Sequence, residues 1–210
     1  MSRRDRVACG RIWLMPKKKS IKNSAREFNE SVDQILDFFA KTDSLKEPCP
    51  EWSADYAVIR LYIRFEVLML DTISGAINND SRTIAETAGM TFPRHMSVDV
   101  CRYFIIGTGF FDFKGRDGLI AIVKKYVPDT HYLLKLIRDT KYRQALEQLS
   151  ALRNLAAHLE SKKAKTAAKA AIGGEKIGSA GAWLRKQDRF GKLCGLLKKF
   201  SHAIEKQAPY

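Results

Sequence analysis

Tyr56-Ala57-Val58-Ile59-Arg60-Leu61-Tyr62-Ile63-Arg64-Phe65-Glu66-Val67-Leu68-Met69-Leu70 is the stretch on which the fold turns. Val58, Ile59, Leu61, Ile63, Phe65, Val67 and Leu68 fall on most sides of a helical wheel, the pattern of a central helix packed by several neighbours. Ser53 is placed to cap that helix, and its apolar character runs to about Ile77.

The flanking sequence supplies the neighbours. Upstream, Ser24-Ala25-Arg26-Glu27 has the spacing of a capping box, and Phe28, Val32, Ile35, Leu36 and Phe39 follow as one stripe that ends before Pro48 and Pro50. Downstream, residues 80–128 read as short helices separated by glycine, with Ser81 and Ser97 as candidate caps. Two more helices are expected between Pro128 and Leu159, the second carrying Tyr142, Leu146, Leu149, Leu152, Leu155 and Leu159 on its core side. The Lys, Ala and Gly composition of 161–181 predicts a mobile basic loop. A last helix over 188–206 presents Phe190, Leu193, Leu197 and Phe200. With no convincing strand pattern, the expectation is an all-α bundle with short connecting helices and one long basic loop. Residues 1–22 are expected to form a basic, disordered leader and 23–210 a single domain.

The chain has 210 residues and a formal net charge of +14, and hydrophobic residues make up 45% of it. That composition suits one packed core and excludes a disordered chain. Residues 1–26 hold nine Lys and Arg against Asp5, a net +8; the remainder contributes +6. A basic patch of this kind attracts phosphate backbones without reading their sequence, although a solvated tail fits the charge equally well. Cys9, Cys49, Cys101 and Cys194 are scattered, with no metal-ligand spacing, so neither a zinc site nor a disulfide framework is indicated and a reducing cytoplasmic setting is expected. No apolar run approaches the roughly 20 residues that span a bilayer, so no membrane partner is expected. Met15-Pro16-Lys17-Lys18-Lys19 has the character of a start, which makes 1–14 a candidate upstream mis-start. The glycines of 107–118 lack the context of a phosphate loop, and no cofactor is called for.

One segment combines helical spacing with chemistry: Leu149-Ser150-Ala151-Leu152-Arg153-Asn154-Leu155-Ala156-Ala157-His158. At about 100° per residue, Leu152, Leu155, Ala156 and Leu159 gather toward the core. Arg153, Ser150, Asn154 and His158 lie on the opposite side, with small residues between them. An imidazole moves protons near neutral pH, and a guanidinium holds phosphate in bidentate fashion. Together they suffice for RNA cleavage without a metal, in which the 2′-oxygen attacks the adjacent phosphorus and the 5′-oxygen leaves. Asn154 could orient the imidazole or bond the phosphate. With a single histidine in the motif of each copy, a symmetric dimer is the simple source of a second proton-transfer group. Lys162, Lys163 and Lys165 follow as candidate contacts to the RNA backbone. The spacing by itself also fits an arginine and a histidine that merely face solvent. His95, His131 and His202 read as structural or exposed, and Trp52, Trp183 and the aromatics of 104–113 as core.

Residues 152–158 resemble the Arg-x-x-x-x-His signature of the HEPN superfamily, with Asn after Arg and Ala before His. Phe65-Glu66-Val67-Leu68-Met69-Leu70-Asp71 is similar to an early-helix stretch of the RiboL-PSP-like HEPN branch, and Ala180-Gly181-Ala182-Trp183-Leu184 with Gln187 to Phe190 to its last segment. The likeness implies a dimerising helical bundle, metal-independent endoribonuclease activity, and a toxin or phage-defence role with a cognate antitoxin or nucleotidyltransferase partner. Arg153 and His158 would then be catalytic, Asn154 supportive, and Glu66 and Ser150 accessory. A catalytically silent RNA-binding or dimerisation module is the alternative the same likeness allows. Leu159 and Glu160 depart from the Gly or Asn that often follows the histidine.

Overall fold

The computed structural model describes residues 19–93 and 96–209. The leader before Lys19, the candidate start at Met15, Cys9 and His95 lie outside the described residues. Within them the chain is all-α, with ten α-helices and no strand.

Four long helices make the bundle. They are α1 (Ile21–Thr42), α2 (Cys49–Asn79), α7 (Thr140–Ala157) and α10 (Arg189–Gln207). Helices α1 and α2 run antiparallel, because rising positions on one meet falling positions on the other: Ser24 bonds Asp71, Phe28 packs on Phe65, and Phe38 packs on Tyr56. The same logic orders α1 against α10, through Arg26 with Glu205 and Asp33 with Lys198. Helix α2 is central, as its apolar character predicts, but not packed on every side: Ile63 and Val67 are 39% and 40% exposed. Leu61, Phe65, Met69 and Ile73 are fully buried along it. Phe65 is the hub of an aromatic core, touching Phe28, Phe113 and Phe200 at centroid distances of 5.9, 5.3 and 5.7 Å. Burying rings of this size, at about 25 cal/mol per Å², supplies much of the driving force for assembly.

Shorter helices complete the domain: α3 (Arg82–Ala88), α4 (Val98–Ile106), α5 (Gly115–Val123), α6 (Tyr132–Arg138), α8 (Lys162–Ala171) and α9 (Ala180–Leu184). Ser97 caps α4 by accepting from the Val100 amide, as expected, and His131 caps α6 by accepting from Leu133. Ser81 precedes α3 without a side-chain cap bond.

Several expectations are corrected. The cap of α1 is Ser20, which accepts from Asn23, and not Ser24. Ser24 is one turn inside and buried, with its hydroxyl given to Asp71. The domain accordingly starts before residue 23, since Ile21 is core. Helix α2 begins at Cys49, ahead of Ser53, because Pro50 is tolerated in a first helical turn, where its missing N–H would be unsatisfied anyway. The segment 161–181 is not a loop throughout. Lysine and alanine are strong helix formers, Ser161 caps by accepting from Ala164, and Ala164, Ala168 and Ile172 repeat every four residues to bury one face. Gly173 and Gly174, both at positive φ, end that helix. Trp52 and Phe110 are 64% and 97% exposed rather than core, whereas Phe113 and Trp183 are buried.

Helix α9 seats its N-terminus directly on the first turns of α2. Asp55 accepts from the Gly181 amide at 2.7 Å, and a Cβ at Gly181 would lie 2.2 Å from the Glu51 carbonyl oxygen, so only glycine fits there. Desolvation raises the Asp55 pKa to about 6, and the amide bond offsets part of that rise.

Candidate functional site

Helix α7 carries two working faces. Asp139 caps its start by accepting from the Lys141 amide, and Tyr142, Leu146, Leu149, Leu152 and Leu155 bury the inner stripe against the bundle. Beside that stripe, Glu147, Ser150, Ala151 and Asn154 follow one another at helical spacing of three and four. After Ala157 the chain turns in four residues and α8 folds back along α7. The expectation that Ser150 and its small neighbours permit close approach is met within the chain, by α8, and Ser150 is left 7% exposed.

Between α7, α8 and the turn entering α5 lies a cleft of about 680 Å³. Its polar lining is Asp112, Lys114, Glu147, Ser150, Asn154 and Lys163; the alanines of α8 and Ala151 form its apolar wall. Glu147 is committed to structure, accepting from the Arg116 amide at 3.0 Å at the start of α5. Gly115 makes this possible, because a Cβ there would stand 2.7 Å from the Glu147 Oε2.

The sequence-predicted residues divide around this cleft. Arg153 is half-buried with its guanidinium 4.7 Å from the centre of the Tyr62 ring, and its Nη1 donates to Asn154 Oδ1 at 2.8 Å. Stacking on an aromatic face together with a charge-assisted hydrogen bond holds a guanidinium in one orientation. The Asn154 side chain therefore engages the arginine through Oδ1, and among the described residues it makes no side-chain bond to the histidine. Glu66 lies one turn from Tyr62 on α2, inside the field of Arg153 and Asp112. Burial raises its pKa to about 7; Arg153 pulls it down, and Asp112 pushes it up. Tyr62 donates to Asp112 Oδ1 at 2.7 Å. Burial and that bond move the phenol above its ordinary pKa, which keeps it a donor at all working pH values.

His158 is placed differently from the helical extrapolation. It is the C-terminal cap of α7, at φ −139° and ψ 58°, with its amide still bonded to the carbonyls of Asn154 and Leu155. The imidazole is exposed, and among the described residues no side-chain hydrogen bond joins it to Arg153. Leaving the helix there also turns Leu159 outward, to 41% exposure, instead of into the core. The cause is the following turn, in which Ser161 bonds the His158 carbonyl at 2.9 Å and starts α8.

Of the three lysines, Lys163 reaches the cleft. Lys165 lines a smaller depression further along α8 with Lys169 and Lys176, and Lys162 is exposed at the first turn. Tyr62, Asp112 and Lys114 were not singled out by sequence reasoning. Tyr62 precedes Glu66 by four positions and so shares its face, which is a usable signal; Asp112 and Lys114 sit in a turn with no periodicity to mark them. Among the described residues, Cys49, Cys101 and Cys194 lie on separate helices, and no helix is long and apolar enough to cross a membrane.

Comparison with protein-family models, with curated proteins and with solved structures finds no match to this chain.

Proposed function

We propose that the chain is a HEPN-type, metal-independent endoribonuclease. The observation that carries this reading is an exposed imidazole, His158, at the end of the same helix that holds Arg153 in a fixed orientation beside a lysine-bearing cleft. His158 takes the proton from a 2′-hydroxyl; the 2′-oxygen forms a bond to phosphorus, and the bond from phosphorus to the 5′-oxygen breaks. The products are a 2′,3′-cyclic phosphate and a 5′-hydroxyl. Arg153 binds the non-bridging phosphate oxygens as charge builds on them. Asn154 is a positioning residue for that guanidinium. The proton for the departing 5′-oxygen comes from the His158 of a second copy in a homodimer. Lys162, Lys163 and Lys165 supply backbone attraction that weakens with salt. A toxin or phage-defence role with a cognate antitoxin follows from the family likeness alone.

A second reading has its own observation. The guanidinium is already occupied by Tyr62 and Asn154, with no bond to His158 among the described residues, as suits a silent RNA-binding module. One experiment separates the two: wild type and His158→Ala are incubated with a mixed RNA pool in EDTA, and both fragment ends and RNA affinity are measured. The ribonuclease reading expects cleavage to cyclic phosphates by wild type alone, a loss of about 10²–10⁴-fold in the variant, and unchanged affinity. Binding without cleavage by either protein selects the silent module.

A further inference from the structure

We propose that the cleft between α7, α8 and the 112–115 turn is a nucleobase subsite that selects guanine in the RNA strand. This rests on the ribonuclease reading for its substrate class, and it adds what that reading lacks, a source of sequence preference.

The cleft has the size of a small-molecule site, about 680 Å³ against the roughly 300–1,000 Å³ usual for such pockets. Its lining is also divided by chemistry. On one side, Ala151 and the α8 residues Ala167, Ala170 and Ala171 offer a low apolar wall on which a flat ring can lie. On the other, polar groups have atoms left over after the protein's own bonds are made. Asp112 Oδ1 accepts from Tyr62, and among the described residues its Oδ2 accepts from nothing. Asn154 Oδ1 is taken by Arg153, which leaves Nδ2 as a donor, and Ser150 adds a hydroxyl to the lining. Lys114 and Lys163 provide cations.

Guanine is the base that presents two adjacent donors, N1–H and the N2 amine, on its pairing edge. A carboxylate is the acceptor that suits them, while O6 and N7 are acceptors for an amide or ammonium donor. Uracil offers one donor between two acceptors and would set a carbonyl against Asp112. The carboxylate is held for this task, since Tyr62 is 1% exposed and its hydroxyl pins one oxygen of Asp112. The subsite also adjoins the proposed scissile position. Asn154 lines the cleft and bonds Arg153, so a base seated there delivers its own phosphate toward the guanidinium. Single-stranded bases are read in this manner when they are unstacked and bonded along their edges.

The test uses the full chain and two mononucleotides, guanosine 5′-monophosphate and uridine 5′-monophosphate, titrated by calorimetry into wild type, Asp112→Asn and Ala167→Phe. The fold of each variant is checked by circular dichroism. Ala167 is exposed on α8, so phenylalanine there fills the cleft without entering the core. The expected result is at least about tenfold tighter binding of the guanosine nucleotide by wild type. That preference is lost in Asp112→Asn, and both ligands weaken in Ala167→Phe. Equal or absent binding by folded wild type overturns the proposal, as does a preference that survives both substitutions. Sequencing of the fragment ends keeps the two claims apart: cleavage with no guanine bias removes the subsite and leaves the ribonuclease, whereas guanosine selectivity with no cleavage retains the subsite and removes the ribonuclease.

Discussion

Glu66 and Asp71 stand five residues apart on the same helix, and they meet opposite electrostatic fates. Asp71 is 3% exposed, with Lys19 at 2.7 Å, Arg102 at 2.6 Å and the Ser24 hydroxyl at 3.0 Å. Burial alone would raise its pKa, but the two cations outweigh burial and hold the carboxyl below its usual range. Glu66 is less deeply buried, yet burial outweighs the pull of Arg153, whose guanidinium also lies over the Tyr62 ring, and its pKa rises to about 7. The contrast separates two uses of a carboxylate. Asp71 ties the start of α1 and helix α4 to the centre of the bundle; Glu66 sits in an incompletely neutralised cluster beside the cleft, the arrangement more typical of functional than of purely structural positions.

Removing the structural carboxylate should have the largest effect. Asp71→Ala leaves Lys19 and Arg102 without their shared partner, and because both cations retain some contact with water the expected loss is about 2–4 kcal/mol in urea unfolding. A loss below about 0.5 kcal/mol would contradict a tying role. The two carboxylates also predict opposite slopes with pH. The folded pKa of Asp71 is depressed, so its contribution is present above its unfolded pKa of about 3.9 and is lost as pH falls through the folded value. The folded pKa of Glu66 is raised to about 7, so its neutral form is favoured by folding, and stability falls as pH rises from about 4.3 to about 7. Glu66→Gln should therefore raise the melting temperature at pH 8 by about 2–4 °C and leave it unchanged near pH 4. A uniform shift across that range would assign the effect to packing instead.

Tyr62→Phe sharpens the comparison on the cleft side. Deleting the hydroxyl removes the bond to Asp112 at an expected cost of about 1 kcal/mol, and Asp112→Asn in the Tyr62→Phe background should add little further destabilisation. The smallest expected effect is the coupling between Glu66 and Arg153. A double-mutant cycle with Glu66→Gln and Arg153→Ala should give about 0.5–1 kcal/mol at pH 8 and vanish at pH 4, where Glu66 is neutral in the folded protein.

The helical course of the chain was largely legible because burial imposes a period. The stripe of α1, the all-round apolar α2, the leucines of α7 and the single face of α10 each appear where their spacing placed them. Boundaries were less legible, since several serines could cap and packing chose among them: Ser20 outcompetes Ser24 once Asp71 claims the Ser24 hydroxyl. Helix α8 is not legible from composition, because a Lys and Ala composition describes a flexible linker and a good helix equally well. The repeat of Ala164, Ala168 and Ile172 was the signal that distinguished them. At the site, Arg153, Asn154 and Ser150 were found from one helix face, while Asp112 and Lys114 reach the cleft through a turn that carries no pattern.

Sequence by itself determined the all-α class, the four long helices and the shared face of Ser150 and Asn154 on α7, because a local period of 3.6 dictates which side chains share a face. Tertiary structure alone decided that α8 covers that face, that His158 leaves the helix as a cap, and that Tyr62 and Asp112 join Arg153 and Asn154. Those contacts join residues as far as 91 positions apart, as between Tyr62 and Arg153, and their geometry is set by which helices pack, not by any local preference along the chain.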